Sequence, residues 1–268
     1  MGAFFRNLAG RGSDSTHRIP RGYRVYAVGD VHGRLDLLDE MLLFIEGDIG
    51  KRREAQNIIV FLGDLIDRGP DSRGVIERVC RYQSGGVRVV ALIGNHEEVL
   101  LRLLRGEGEH FHAWLRFGGV ECCESYDIDT ARLKRMPTEQ ALGILRERIP
   151  AEHRDFLERM SDTFRIGDYV FVHAGIRPGV ALEQQDQSDL RWIREPFLTS
   201  ELDHGHIVVH GHTVSEGVDI QHNRIGLDTG AYRTHVLSAL GLEGQDRWFL
   251  RTSVGTEFQG DQLGIVAS

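Results

Sequence analysis

The sequence predicts an α/β fold in which strands ending in polar motifs alternate with amphipathic helices. Apolar β-type runs recur at Tyr23–Val28, Asn57–Leu62, Val87–Ile93, Asp168–Val172 and His206–Val209. Helical periodicity fills the gaps between the first three. The motifs Gly29–Gly33 (GDVHG), Gly63–Pro70 (GDLIDRGP), Gly94–Glu97 (GNHE), His173–Gly175 (HAG) and His210–Thr213 (HGHT) each follow such a run.

Taken in order, Tyr23–Val28 alternates apolar and polar residues and breaks at Gly29-Asp30. Leu35, Leu38, Leu42 and Ile45 then recur at helical spacing within Leu35–Glu46. Asn57–Leu62 is continuously apolar after its first residue, as a strand buried on both faces should be. Ser72–Tyr82 reads as a helix started near Pro70 and Asp71. The resulting βαβαβ order predicts a largely parallel sheet.

From Glu97 to Met160 the pattern is helical and charged, in segments Glu97–Leu104, Glu109–Phe117, Thr138–Arg148 and Ala151–Met160. This is an insertion, punctuated by Pro137 and Pro150. Short strands follow at Ile207–Val209, Ile225–Leu227, Val236–Leu242 and Trp248–Thr252 with turn-like connections, predicting a second sheet packed on the first. Residues 1–21 read as a mobile leader and 22–268 as a single domain with the insertion at about 97–160.

With 268 residues and 41% hydrophobic content, the chain can bury a full core. A net charge of −8 argues against a nucleic-acid partner, because no basic face is implied to neutralise phosphates. The three cysteines, Cys80, Cys122 and Cys123, read as free thiols of a reducing compartment. Redox sensing or metal capture by Cys122 and Cys123 is the alternative. The N-terminus lacks a signal-peptide apolar core, and no stretch approaches the roughly 18 apolar residues of a membrane span. A cytoplasmic protein without a membrane partner is therefore expected.

Asp30, His32 and Asp64 project a mixed oxygen and nitrogen set from two neighbouring strand ends. Close carboxylates repel unless a cation compensates. Manganese, iron and zinc ions accept such ligands. Asn95, His173 and His212 suit a second ion that shares Asp64 as a bridge. Two-metal sites of this kind hold their ions about 3.5–4 Å apart. For any one of these residues a cap, turn or satisfied core histidine is the commoner role; the argument rests on all six following strand ends.

The motif order GD-x-HG, GD-xx-DRG, GNHE, HAG and HGHT resembles the phosphoprotein-phosphatase branch of the calcineurin-like metallophosphoesterases, closest to the bacterial and phage serine/threonine phosphatases. The resemblance covers about Val25 to Tyr232. It implies a pair of β-sheets flanked by helices. It also implies that Asp30, His32 and Asp64 bind one ion while Asp64, Asn95, His173 and His212 bind the other, with Asp64 and a hydroxide bridging. The ions would be manganese, with iron or zinc as alternatives. His96 matches the family's general acid, Asp67 its orienting partner and Arg68 a phosphate clamp. Chemistry supports these roles: an Arg fork binds two phosphoryl oxygens, and an alkoxide leaving group needs a proton.

For the second phosphate arginine, Arg177, Arg191 and Arg194 share the correct interval, and Arg194 in Arg191–Phe197 (RWIREPF) fits the family pattern best. The eukaryotic branch's tyrosine loop is replaced by Leu227–Tyr232 (LDTGAY), leaving Tyr232 a weak candidate. His210 reads as a buried strand residue or a support for the site. The pairs His110/His112 and His204/His206 read as surface or structural.

The reading is a phosphatase acting on phosphoserine, phosphothreonine or phosphotyrosine in proteins, or on a small phosphoester. The alternative within the same family is hydrolysis of dinucleoside polyphosphates such as diadenosine tetraphosphate. Those enzymes usually carry a small residue where Asp67 stands and Asp where Glu97 stands. A non-catalytic binding domain on the same fold is the reading from another class.

Overall fold

Alternation along each apolar run decides which layer a residue faces, and the architecture follows from satisfying both sides. A computed structural model describes residues 17–82, 86–252 and 265–267. The chain begins with β1 (Tyr23–Val28), α1 (Leu35–Ile49), β2 (Gln56–Phe61), α2 (Ser72–Cys80), β3 (Arg88–Ala91) and α3 (Asn95–Arg105). A helical stretch follows: α4 (Phe111–Trp114), α5 (Val120–Ser125), α6 (Thr130–Leu133), α7 (Thr138–Arg148) and α8 (Ala151–Glu158). Then come β4 (Thr163–Ile166), β5 (Tyr169–Val172), α9 (Gln187–Trp192), β6 (Ile207–His210), β7 (Asp219–Ile220) and β8 (Arg224–Gly226). The described chain closes with α10 (Ala231–Thr234), β9 (Ser238–Glu243), β10 (Asp246–Arg251) and β11 (Ile265–Ala267).

Two sheets form, in the orders β11-β10-β9-β1-β2-β3 and β4-β5-β6-β8-β7. The strands β1, β2 and β3 run parallel, as do β5, β6 and β8. Val25, Ala27, Ile58 and Val60 point into the layer between the sheets, against Phe171, Val209 and Ile225. Their neighbours Tyr26, Val28, Ile59 and Phe61 point the other way, against Leu38, Met41 and Ile45 of α1 and Val75 and Val79 of α2. Each such fully buried side chain contributes roughly 1.5–3 kcal/mol. The second sheet's outer face is covered by Leu190, Ile193 and Phe197, packed on Val172 and Val208. The two-sheet α/β architecture with flanking helices is the one expected.

Two details differ from the sequence reading, and a third goes beyond it. The tail strands β9 and β10 do not build the second sheet; they extend the first, with Val28 opposite Ala239 in an antiparallel pair. This covers an edge of β1 that would otherwise carry unpaired backbone groups. The first sheet is therefore mixed rather than largely parallel. The polar position of β1 also does not face water. Arg24 is 1% exposed, its guanidinium satisfied by Glu243, Asn57 and the Arg53 carbonyl. Finally, the helix expected over Glu109–Phe117 breaks after Trp114 into a π-type turn, Leu115–Gly119, where Gly118 takes φ 116°. A residue without Cβ makes that turn accessible.

Asp71 caps α2 by accepting from the Gly74 N–H at 2.7 Å, which starts the helix where the sequence places it. The insertion is not an appendage: Phe111, Trp114, Leu142 and Leu145 share one apolar cluster with the helices covering the first sheet. Cys122 and Cys123 are buried there as free thiols, and burial pushes the Cys122 thiol well up, away from reactive thiolate. Of the expected leader, residues 1–16 lie outside the described residues. Ile19 is buried between the sheets with its N–H on the Gly244 carbonyl, so the packed domain reaches back beyond residue 22. Among the described residues no helix is long and apolar enough to cross a membrane.

Candidate metal centre and active site

Parallel strands present their carboxyl ends on one edge, and polar loops gather there. His32 follows β1, Asp64 follows β2 and Asn95 opens α3 after β3. From the second sheet, His173 directly follows β5 and His212 lies two residues past β6. The backbone is bent hard at these points. Seven described non-glycine residues have positive φ, and five of them are His32, Asp64, Asp67, Arg68 and His212. Such conformations are sparsely populated and persist where surrounding contacts over-determine them.

Glu97 supplies much of that constraint. Its buried carboxylate accepts from the N–H groups of Asp64 (2.9 Å) and Gly94 (2.9 Å) at one oxygen, and Leu65 (2.7 Å) and Ile66 (3.3 Å) at the other. The side chain thus ties the loop after β2 to the start of α3. Burial first, and Asp64 second, push its pKa up to about 7 despite those donors.

Whether the cluster fits metal can be read from its lone pairs. His173 Nδ1 lies 2.8 Å from the Leu62 carbonyl, and His32 Nδ1 lies 2.9 Å from the Ile66 carbonyl. A carbonyl only accepts, so both protons sit on Nδ1 and both Nε2 atoms carry lone pairs. Burial keeps these rings neutral, lowering His173 and bringing His32 down to about 3. Yet His173 Nε2 faces Asn95 Oδ1 at 3.0 Å and Asp64 Oδ1 at 3.5 Å, while His32 Nε2 faces Asp64 Oδ2 at 3.6 Å. Acceptors facing acceptors at this range are the arrangement a cation resolves. A histidine held through its second nitrogen by a backbone carbonyl is the usual support for a ligand.

Two residue sets bring their ligand atoms within 4.8 Å: His32, Asp64 and His96, and Asp64, His173 and His212. Asp64 belongs to both, as a bridging ligand would. His212 Nδ1 lies 2.9 Å from Asn95 Oδ1, and its Nε2 has no hydrogen-bond partner. Asp30 lies outside both sets. Its two oxygens accept from the His212 backbone N–H at 3.2 and 3.0 Å, joining the loops of the two sheets. Burial, then Asp228, then Asp64 raise the Asp30 pKa, the repulsion that a cation would relieve.

His96 falls in the first set by distance, but its partner sets it apart: a carboxylate holds its Nδ1, not a backbone carbonyl. Nδ1 lies 2.6 Å from Asp67 Oδ2. Burial opposes charge on the ring, but Asp64 and Asp67 outweigh it and push the pKa up to about 9. A protonated imidazole has no lone pair to offer a metal and has a proton to give. Asp67 is fully buried, and the same Oδ2 accepts from the Trp114 Nε1–H at 2.8 Å. Arg68 Nη2 lies 3.1 Å from His96 Nε2; a guanidinium only donates, so Nε2 accepts in this contact and can carry a proton only once Arg68 has moved off it.

Among the three arginine candidates, Arg177 is paired with Asp189, and Arg191 with Asp162 and Glu98. Arg194 is exposed, has no ion pair among the described residues, and its charge acts on both His173 and His212. Tyr232 comes closer than the sequence indicated. Its ring stands edge-on to His32, with centroids 5.4 Å apart, under the Arg68 guanidinium at 4.7 Å. His210 is the buried strand residue: its Nδ1 meets the Gly211 carbonyl and its ring packs on Phe197. The His110/His112 and His204/His206 pairs join neither metal-competent set.

The sequence reading missed three contributors. Glu97 carries no structural signal in the sequence beyond its place in GNHE. Trp114 lay within a helical stretch without a readable motif. Asp228, after β8, is buried with Oδ2 unpartnered, and the coupling to Asp30 places it beside the centre. Its signal was the sixth polar strand ending, in LDTG.

A polar, metal-competent centre on the strand ends of a two-sheet α/β fold defines a class of phosphoester hydrolases. The chain belongs to the calcineurin-like phosphoesterase family, whose sequence pattern matches residues 23–237. It is 31% identical over 160 residues to the symmetrical bis(5'-nucleosyl)-tetraphosphatase of Nitrosospira multiformis, a match covering 60% of this chain and 46% of that protein. The chain thus spans under half the length of that relative. It is 27% identical over 237 residues to the asymmetrical bis(5'-nucleosyl)-tetraphosphatase PrpE of Oceanobacillus iheyensis, covering 81% of this chain and 87% of that one. A crystal structure described as a candidate diadenosine tetraphosphatase superposes with a TM-score of 0.62 at 22% identity, over 90% of this chain and 96% of that chain, a likeness of fold.

Proposed function

We propose that the protein is a metal-dependent phosphatase that hydrolyses phosphomonoesters, with phosphoserine or phosphothreonine in proteins as the favoured substrate and phosphotyrosine or small phosphoesters also accepted. One observation carries this reading: the His96–Asp67 pair, with His96 Nδ1 2.6 Å from the carboxylate of the fully buried Asp67, whose charge favours a proton on the ring. A serine or threonine alkoxide is a far more basic leaving group than the phosphate oxygen released from a phosphoanhydride. Only the former gains strongly from a built-in acid.

Asp30, His32 and Asp64 would hold one ion, and Asp64, Asn95, His173 and His212 the other, with manganese proposed and iron or zinc as alternatives. Two ions held there supply positive charge for the phosphoryl group and an activated water. Arg68 binds and orients the phosphoryl oxygens, assisted by Arg194, whose charge lies over the second ligand set. Tyr232 narrows the space beside Arg68. His96 then passes its Nε2 proton to the departing oxygen while Asp67 holds the other side of the ring.

Hydrolysis of dinucleoside polyphosphates is the second reading, favoured by the activities for which the two tetraphosphatase relatives are named. A non-catalytic role is disfavoured by the intact acid pair. Turnover with Mn²⁺ on a phosphoserine peptide, p-nitrophenyl phosphate and diadenosine tetraphosphate separates the readings. The proposal expects the two monoesters to be favoured; turnover confined to the tetraphosphate would replace it with the second reading.

A further inference from the structure

We propose that the helical insertion takes part in the reaction through one side chain: Trp114 is a positioning residue that fixes Asp67 and thereby aims His96. The inference rests on reading His96 as the acid. Asp67 sits on a strained turn, with φ 71°, and its Oδ1 has no hydrogen-bond partner. Its Oδ2 is shared between His96 Nδ1 at 2.6 Å and Trp114 Nε1 at 2.8 Å, and the buried Cys122 thiol, a weak donor, also lies against this carboxylate. With His96 alone, the carboxylate could rotate and carry the imidazole with it. A second N–H donor on the same oxygen fixes where Oδ2 lies, and so fixes the direction of His96 Nε2.

The local chain is shaped around this contact. A Cβ on Gly119 would come within 2.4 Å of the Trp114 ring, so residue 119 leaves room for the indole. The adjacent Gly118 carbonyl accepts from the Arg68 N–H at 3.1 Å, and a Cβ there would lie 2.5 Å from that nitrogen. One turn of the insertion thus rests on the acid's partner and on the phosphate clamp together. The bland alternative is a buried indole that takes the nearest acceptor, as buried tryptophans generally do. That alternative predicts lost stability without a change in proton delivery.

The test is Trp114→Phe, which keeps a ring and removes the donor. We expect kcat to fall roughly tenfold on a phosphoserine peptide but less than about twofold on p-nitrophenyl phosphate, whose leaving group needs little protonation. KM and bound manganese should stay at the wild-type level. Gly119→Ala, which displaces the same indole, should reproduce the pattern if Trp114→Phe folds poorly. In a His96→Asn background, Trp114→Phe should cost nothing further. The downfield proton resonance of His96 Nδ1–H, assigned by its loss in His96→Asn, should also move in Trp114→Phe. Equal losses on both esters, a further loss on top of His96→Asn, or an unmoved resonance would each overturn the proposal. If the unmodified protein hydrolyses neither ester, the phosphatase reading fails while the resonance still decides whether Trp114 positions His96.

Discussion

The strand ends and the helical insertion both reach Asp67 Oδ2, and they do so by different physical means. At the strand ends, short loops hold polar side chains in strained conformations, and Glu97 pins two of those loops with four backbone donors. The insertion is largely apolar where it meets the body, and it touches this site through the Trp114 N–H on Asp67 and the Gly118 carbonyl on the Arg68 N–H. Rigid sheets can therefore fix where ligands stand, while orientation of a proton donor depends on a distant, well-packed helix. Substitutions in the two regions should fail differently.

The largest effect is expected at the residue shared by both ligand sets. Asp64→Asn should lower bound manganese and cut kcat by on the order of 10²–10³-fold, since several kcal/mol of charge stabilisation disappear. Metal analysis beside turnover checks this; full occupancy with full activity would remove the bridging assignment. His96→Asn should come next, losing roughly 10²-fold in kcat on a phosphoserine peptide while metal content and KM stay level.

Asp67→Asn should act through pH. His96 must be protonated to donate, and the Asp67 carboxylate on its Nδ1 raises its pKa against burial. Activity should therefore fall as pH rises through the His96 pKa. Removing the Asp67 charge lowers the pKa, so the alkaline limb of the kcat profile should shift to lower pH, with roughly tenfold lost for each unit above it. A limb left in place would separate His96 from that limb.

At the clamps, Arg194→Ala should raise KM by about fivefold and leave kcat nearly unchanged, as expected for lost uniform binding. Arg177→Ala, which breaks an ion pair to Asp189, should leave both parameters alone. In the insertion, Leu145→Ala should cost about 2–5 kcal/mol of stability, seen in urea melts, with kcat retained at low temperature. A kcat loss there matching its stability loss would blur the distinction between the two regions.

The fold class and the candidate metal ligands were legible because they are local signals. An apolar run followed by Gly-Asp, Asn-His or His-x-His marks a strand and its ending in a few residues. What was illegible depends on long-range pairing. Nothing within Val236–Leu242 says that it lies beside β1 rather than in the second sheet; the pairing of Val28 with Ala239 settles it. Trp114 lies 47 residues from Asp67, inside a segment whose pattern reads only as helix. Asp228 looks like a turn residue until β8 pairs with β6 and carries it to the same edge as His212. Arg194 could be separated from Arg177 and Arg191 only once their ion pairs were visible.

The central claim is that two cations bind at the strand ends around Asp64 and that the reaction depends on them. The direct measurement is manganese stoichiometry of the chelator-treated protein during titration, with phosphomonoester turnover followed in the same samples. The account predicts two ions per chain, turnover that returns with them, and both lost together in Asp64→Asn. Turnover that survives complete chelation, or returns without bound ions, would contradict it.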